Sequence, residues 1–190
     1  MIILVGASAS GKTEIAKVLY QFHGYRKCIT TTTRPPRLHE TDGIDYRFLD
    51  KETFLHLEKE QNFLEVTHYQ DHFYGIQRKD ANINGVVILD PNGANTLCRL
   101  LKREVFIVYV DTKEETRKKR MMQRGETEKT IENRLSSDRH VFLPEHLLRI
   151  DLLVSNENER LIDQGLIIHQ AYQAYIKKHH LHLKPNQEAV

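Results

Sequence analysis

Cysteine is scarce in this chain, net charge is small, and no apolar run is long. The 190 residues include two cysteines, Cys28 and Cys98. They fall in an expected strand and an expected helix without C-x-x-C spacing, so they read as reduced thiols and not as a disulfide or a metal site. No apolar run approaches the roughly 20 residues that span a bilayer. The opening "MIILVGAS" has neither the basic leader nor the apolar length of a secretory signal; it reads as a first strand, and a cytoplasmic location is expected. A formal charge of +2, from 28 basic and 26 acidic residues, suits anionic small ligands and does not point to nucleic acid. Histidine is plentiful at eleven residues, but its spacing is not that of a metal site. His68 and His72 lie on an expected hairpin, and His179, His180 and His182 crowd a polar end. No repeat or low-complexity tract is present, and the final "HLHLKPNQEAV" reads as a frayed tail.

The chain instead has rhythm. Short β-branched runs, "MIILV", "GVVILD", "EVFIVYVD" and "IDLLVS", alternate with helical patterns such as "KTEIAKVLYQFH", "ANTLCRLL" and "NERLIDQGLIIHQAYQAYIKK". Strands alternating with helices predict an α/β fold, with a parallel sheet covered on both faces and right-handed crossovers. At 190 residues one full domain with small insertions is expected. The core comprises residues 1–32, 81–111 and 141–190. Residues 33–80 break the rhythm with proline- and glycine-marked turns and aromatic-rich strands, and read as a small mixed α+β insertion. Residues 112–140 are densely charged and nearly core-free, with Glu114–Lys118 and Glu115–Lys119 as expected i,i+4 pairs. The Arg124–Gly125 break there reads as a hinge between two helices, the second carrying Ile131 and Leu135 on one face.

Between the first strand and the first helix stands "GASASGKT", residues 6–13. Gly6, Gly11, Lys12 and Thr13 fill the pattern G-x-x-x-x-G-K-[ST] in the strand–turn–helix setting that gives it meaning. Backbone N–H groups converging at a helix start favour an anion. The small side chains of Ala7, Ser8, Ala9 and Ser10 keep the loop open to a phosphate. Lys12 is placed to reach the β- and γ-phosphates of a nucleoside triphosphate, and Thr13 to offer its hydroxyl to Mg²⁺.

In "TTTTRPPRLHETDGIDYRF" a double proline fixes the backbone between Arg34 and Arg37. Two guanidinium forks at fixed separation form a clamp for a phosphate dianion. Tyr46 and Tyr74 can each add a phenolic O–H. Glu65, in the apolar "NFLEV", can accept two parallel hydrogen bonds from the N1–H and N2–H₂ edge of guanine; adenine presents an acceptor at N1, so the same carboxylate repels it.

These runs, with "FYG", "RGETEKTIENRL" and "LLVSNENERL", resemble the guanylate kinase family, the ATP:GMP phosphotransferases, over nearly the whole chain. The resemblance implies a P-loop kinase core, a nucleoside-monophosphate-binding insertion at 33–80 and a helical lid at 112–140, with ATP and GMP as partners, Mg²⁺ as cofactor, and a monomer or homodimer. It places Thr30, Arg34, Arg37, Tyr46, Glu65, Tyr74 and Asp90 at GMP-binding positions. Arg37, Arg124 and Arg134, with Lys12, fall at positions of phosphoryl transfer, and Asn156 falls near the adenine of ATP. Arg120 and Arg139 receive no role. The departures are Ala7 and Ala9 in the loop, a shortened "LDPNGA" that leaves Asp90 alone, and Ile76 where the family has a small hydroxyl residue after "FYG". The last two keep open a related phosphotransferase with another acceptor. A catalytically inactive interaction module is a further alternative, opposed by the intact Gly11, Lys12 and Thr13.

Overall fold

The first strand, β1 (Ile2–Val5), is buried along its whole length, and its side chains divide between two cores. Ile2 and Leu4 enter one hydrophobic cluster with Ile15, Leu19 and Ile168. Ile3 and Val5 enter another with Ala94 and Leu97. The two-residue period of a strand explains the split, and a strand apolar on both faces belongs inside a covered parallel sheet. The computed structural model describes residues 1–38, 40–69 and 71–181. His182 and most of the expected tail lie outside them.

The large sheet is five-stranded and parallel, with β1 at its centre. On one side lie β7 (Gly85–Ile88) and then β2 (Arg26–Lys27); on the other lie β8 (Phe106–Asp111) and then β9 (Leu152–Ser155). The α1 helix (Lys12–His23) and α6 (Leu161–His179) pack together on one face. The other face is covered by α3 (Pro91–Leu101), whose start is fixed by Pro91 and by the Asp90 carboxylate accepting from the Gly93 N–H at 2.8 Å. Cys28 follows β2 and Cys98 lies on α3, both as free thiols.

A second sheet has four strands in the order β4-β3-β6-β5: β3 (Thr30–Thr32), β4 (Arg47–Phe48), β5 (Phe63–Tyr69) and β6 (His72–Gln77). It therefore begins at Thr30, ahead of the proline-rich loop. Its own core is aromatic. Phe54, on α2 (Lys51–Lys59), is wholly buried and stacks on Phe63 and Phe73 with ring centroids 4.5 and 5.6 Å away.

Residues 112–140 hold more core than their composition suggests. Met121 on α4 (Glu114–Gln123) and Ile131 and Leu135 on α5 (Glu128–Val141) are buried together, with Ala9 packed against them. The Arg124–Gly125 break separates the two helices, with Gly125 at φ 75°. The expected pairing of Glu114 with Lys118 gives way to a cross-helix one. Glu114 takes Arg139 of α5 and approaches Arg117 on its own helix at 3.9 Å.

Candidate active site

The loop from Gly6 to Thr13 joins the C-terminal end of β1 to the start of α1. Two positions there demand glycine. A Cβ at Gly6 would lie 2.4 Å from the Val110 carbonyl oxygen, and one at Gly11, where φ is 99°, would lie 2.0 Å from Asn156 Nδ2. Ala9 holds a left-handed φ of 59° without being glycine, a conformation that costs about 1–2 kcal/mol.

Lys12 folds back over this loop. Its ammonium donates to the carbonyls of Gly6 and Ala7 at 2.6 and 2.7 Å, and sits 5.8 Å from the centroid of the Phe142 ring. Burial lowers its pKa to about 8; Asp138 opposes the shift, while the charges of Arg117 and Arg124 add to it. Arg124 is thus close enough for its field to reach Lys12, although its side chain is exposed.

From Lys12 a cavity of about 260 Å³ runs toward the second sheet. Among the residues that line it are Thr30, Tyr46, Glu65, Tyr74 and Asp90, so five of the seven expected acceptor residues share one space with the loop lysine. Arg34 adjoins that space. Its guanidinium lies 5.4 Å from the Tyr46 ring centroid, and Tyr46 meets Tyr74 edge-on. Both Arg34 and its neighbour are tied by Glu40, which accepts from Arg34 Nη2 at 2.8 and 2.9 Å and from the Arg37 backbone N–H at 2.7 Å. The Arg37 side chain is exposed.

Glu65 is 6% exposed. Burial raises its pKa, the Thr67 hydroxyl opposes that rise by bonding to the carboxylate, and the charge of Asp90 adds to it. Gly93 leaves room for this carboxylate, since a Cβ there would lie 3.3 Å from Glu65 Oε1.

The remaining expected residues stand apart from the cavity. Arg134 is exposed and paired with Glu126 at 3.3 Å. Asn156 is buried behind the loop, its amide donating to the Ser10 carbonyl at 2.7 Å. Thr13 is exposed at the head of α1.

Three residues at the site lack a sequence signal. Thr67 lines the cavity beside Glu65. Arg117 and Asp138, both 6% exposed, form a 2.9 Å ion pair between α4 and α5. Asp138 accepts from the Ser8 backbone N–H at 2.8 Å, and Arg117 donates to the Ser8 carbonyl at 3.4 Å. In a stretch with so many charges, nothing in the spacing distinguishes these two from solvated neighbours.

A parallel α/β core, a glycine-bracketed loop at a helix start, and a second ligand cavity facing the loop lysine define a P-loop nucleotide phosphotransferase. A guanylate kinase family profile matches residues 1–160. A guanylate kinase of Nitrosomonas europaea is 31% identical over 164 residues, covering 82% of this chain and 81% of that protein. One from Thermus thermophilus is 32% identical over 165 residues, covering 83% of this chain and 74% of its own length. The crystal structure of guanylate kinase from Anaplasma phagocytophilum superposes with a TM-score of 0.64 at 24% identity, over 91% of this chain and 85% of that one. The chain belongs to the guanylate kinase family, whose activity is phosphoryl transfer from ATP to GMP.

Proposed function

We propose that the loop at residues 6–13 holds the phosphates of ATP, that the cavity between Lys12 and Glu65 receives GMP, and that the two helices of residues 112–140 act as a lid. The observation that carries this reading is the single space shared by a half-buried, desolvated ammonium and a buried carboxylate. One is suited to polyphosphate, the other to the donor edge of guanine.

The nucleophile is a phosphate oxygen of the acceptor, largely ionised near neutral pH because its second pKa is about 6. No protein base is needed, and the task is electrostatic: two polyanions must meet with water kept out. Lys12 offsets charge on the β- and γ-phosphates. Arg34 and Arg37 bind the acceptor phosphate, with Arg34 exchanging Glu40 for it and Tyr46 and Tyr74 adding O–H donors. Arg124 and Arg134 swing in from the lid onto the transferring group. Asn156 supports the loop from behind and lies on the adenine side.

The metal fits these residues. Among the described residues no cluster of three ligating side chains occurs, and Thr13 offers one exposed hydroxyl beside Lys12. Mg²⁺ suits such a site, because it keeps several waters and is held by one or two protein oxygens together with substrate phosphates. Bound there through Thr13, it would supply neutralising charge to the ATP phosphates. Every part of the proposed site lies in one chain, so it serves a monomer or a homodimer equally. No helix among the described residues is long and apolar enough to cross a membrane.

A coupled ADP-release assay with ATP and each common nucleoside monophosphate tests this reading. GMP should be the preferred acceptor; strong turnover of another monophosphate with GMP inert would overturn it.

A further inference from the structure

The pairing of β5, β6 and β3 fixes which side chains share the cavity face. Glu65 and Thr30 both stand opposite Ile76, one on each side of it. Two residues along, Thr67 and Thr32 both stand opposite Tyr74. Residues directly opposite in a sheet point to the same face, and so do residues two apart on one strand. Between Glu65 and Thr30 on this face stands Ile76, which is wholly buried in the apolar cluster of the large sheet and has no polar atom to offer. The hydroxyl nearest the Glu65 carboxylate comes instead from Thr67, on the same strand and lining the same cavity.

We propose that Thr67 determines base specificity, by holding the Glu65 carboxylate in place and by presenting its own oxygen to the exocyclic amine of guanine. This rests on the reading of the cavity as the GMP site. The Thr67 Oγ1 hydroxyl donates to Glu65 Oε1. A hydroxyl has one donor and two acceptor lone pairs. With its hydrogen spent on an ionised carboxylate, Thr67 faces the cavity as an acceptor only. Guanine brings three N–H hydrogens to this edge, one on N1 and two on N2. Glu65 can accept one from each nitrogen, and Thr67 is placed for the remaining N2 hydrogen. Hypoxanthine keeps N1–H but has no amine at C2, so it leaves the Thr67 oxygen without a donor and the carboxylate with one donor fewer. A buried acceptor with no partner is what makes a site reject an analogue lacking the group.

The test compares the full chain with Thr67→Val and Thr67→Ser, using saturating ATP and either GMP or IMP as acceptor. Valine keeps the shape and suits an edge strand, removing only the hydroxyl. Thr67→Val should lower kcat/KM for GMP by about ten- to a hundredfold, the range expected for a hydrogen bond to a charged or buried group. The loss should fall mainly in KM, change IMP much less, and leave the KM for ATP untouched. Thr67→Ser should restore the preference for GMP over IMP. An unchanged GMP-to-IMP ratio in Thr67→Val, or no recovery with serine, overturns the role of Thr67 while leaving the GMP site standing. A wild-type protein that does not phosphorylate GMP overturns both.

Discussion

Burial makes Glu65 a side chain whose charge lowers stability, and in the proposed reading the same charge selects the ligand. Burial holds its pKa above the ordinary carboxylate range, so the folded chain keeps that proton to higher pH than the unfolded chain does. The sign follows: Glu65 favours folding most below the unfolded carboxylate range, and that contribution is lost as pH rises through the raised value. At pH 7 the protein carries a buried charge it would be more stable without. Glu65→Gln should therefore raise the melting temperature at pH 7, with the gain shrinking toward pH 4. The same change should cut kcat/KM for GMP on the order of a hundredfold, because an amide N–H₂ replaces an acceptor facing donors. Thermal melts at two pH values and the ADP-release assay read the two effects separately. Gly93→Ala makes a related point. Helix propensity favours alanine by about 1 kcal/mol, yet the added Cβ lies 3.3 Å from Glu65 Oε1. The helix gain and the crowding of about 1–2 kcal/mol should roughly cancel in the melting temperature, while displacement of Glu65 raises the KM for GMP about tenfold. At this scale the sequence was informative where a residue type is unusual for its place. A carboxylate in "NFLEV" and two arginines around a double proline stand out. Thr67 does not, because a threonine on a strand is ordinary until the register shows which carboxylate it touches.

Helices α4 and α5 are joined by more than a turn. Arg117 and Asp138 are both buried, and each also holds a backbone group of Ser8. This pair fastens the helices to each other and to the phosphate loop. Breaking one half of a buried ion pair leaves an uncompensated charge, so Asp138→Ala should cost about 3–5 kcal/mol. Replacing both partners with apolar residues, as in Arg117→Met with Asp138→Leu, should recover most of that loss. Denaturant melts of the single and double variants measure the difference. The helices themselves, the break at Gly125 and the shared face of Ile131 and Leu135 are legible from spacing. The buried pair is not, since an Arg and an Asp 21 positions apart meet only after two helices fold back on each other. For the same reason Glu114 was expected to pair along its own helix and instead bonds across to Arg139.

Over the whole molecule, alternation of strand and helix reveals the class of fold, and apolar runs buried on both faces reveal a parallel sheet. The order of strands is another matter. β1 lies at the centre between β7 and β8, a placement set by crossover handedness and long-range packing that no local pattern carries. In the proposed reading, function at this scale depends on bringing residues 112–140, the loop and the second sheet together. Arg124 is exposed yet its charge reaches Lys12, and the proposed role for it is on the transferring group. Arg124→Ala should lower kcat about a hundred- to a thousandfold with little change in either KM, as expected when a donor to transition-state charge is lost. A rise in KM alone would assign it to ground-state binding. Arrangement of the ligands is tested most directly by a crystal structure with GMP bound. The account predicts the guanine edge against Glu65 and Thr67, with the phosphate between Arg34 and Arg37 and turned toward Lys12. A nucleotide lodged away from Glu65 and the arginine pair would contradict it.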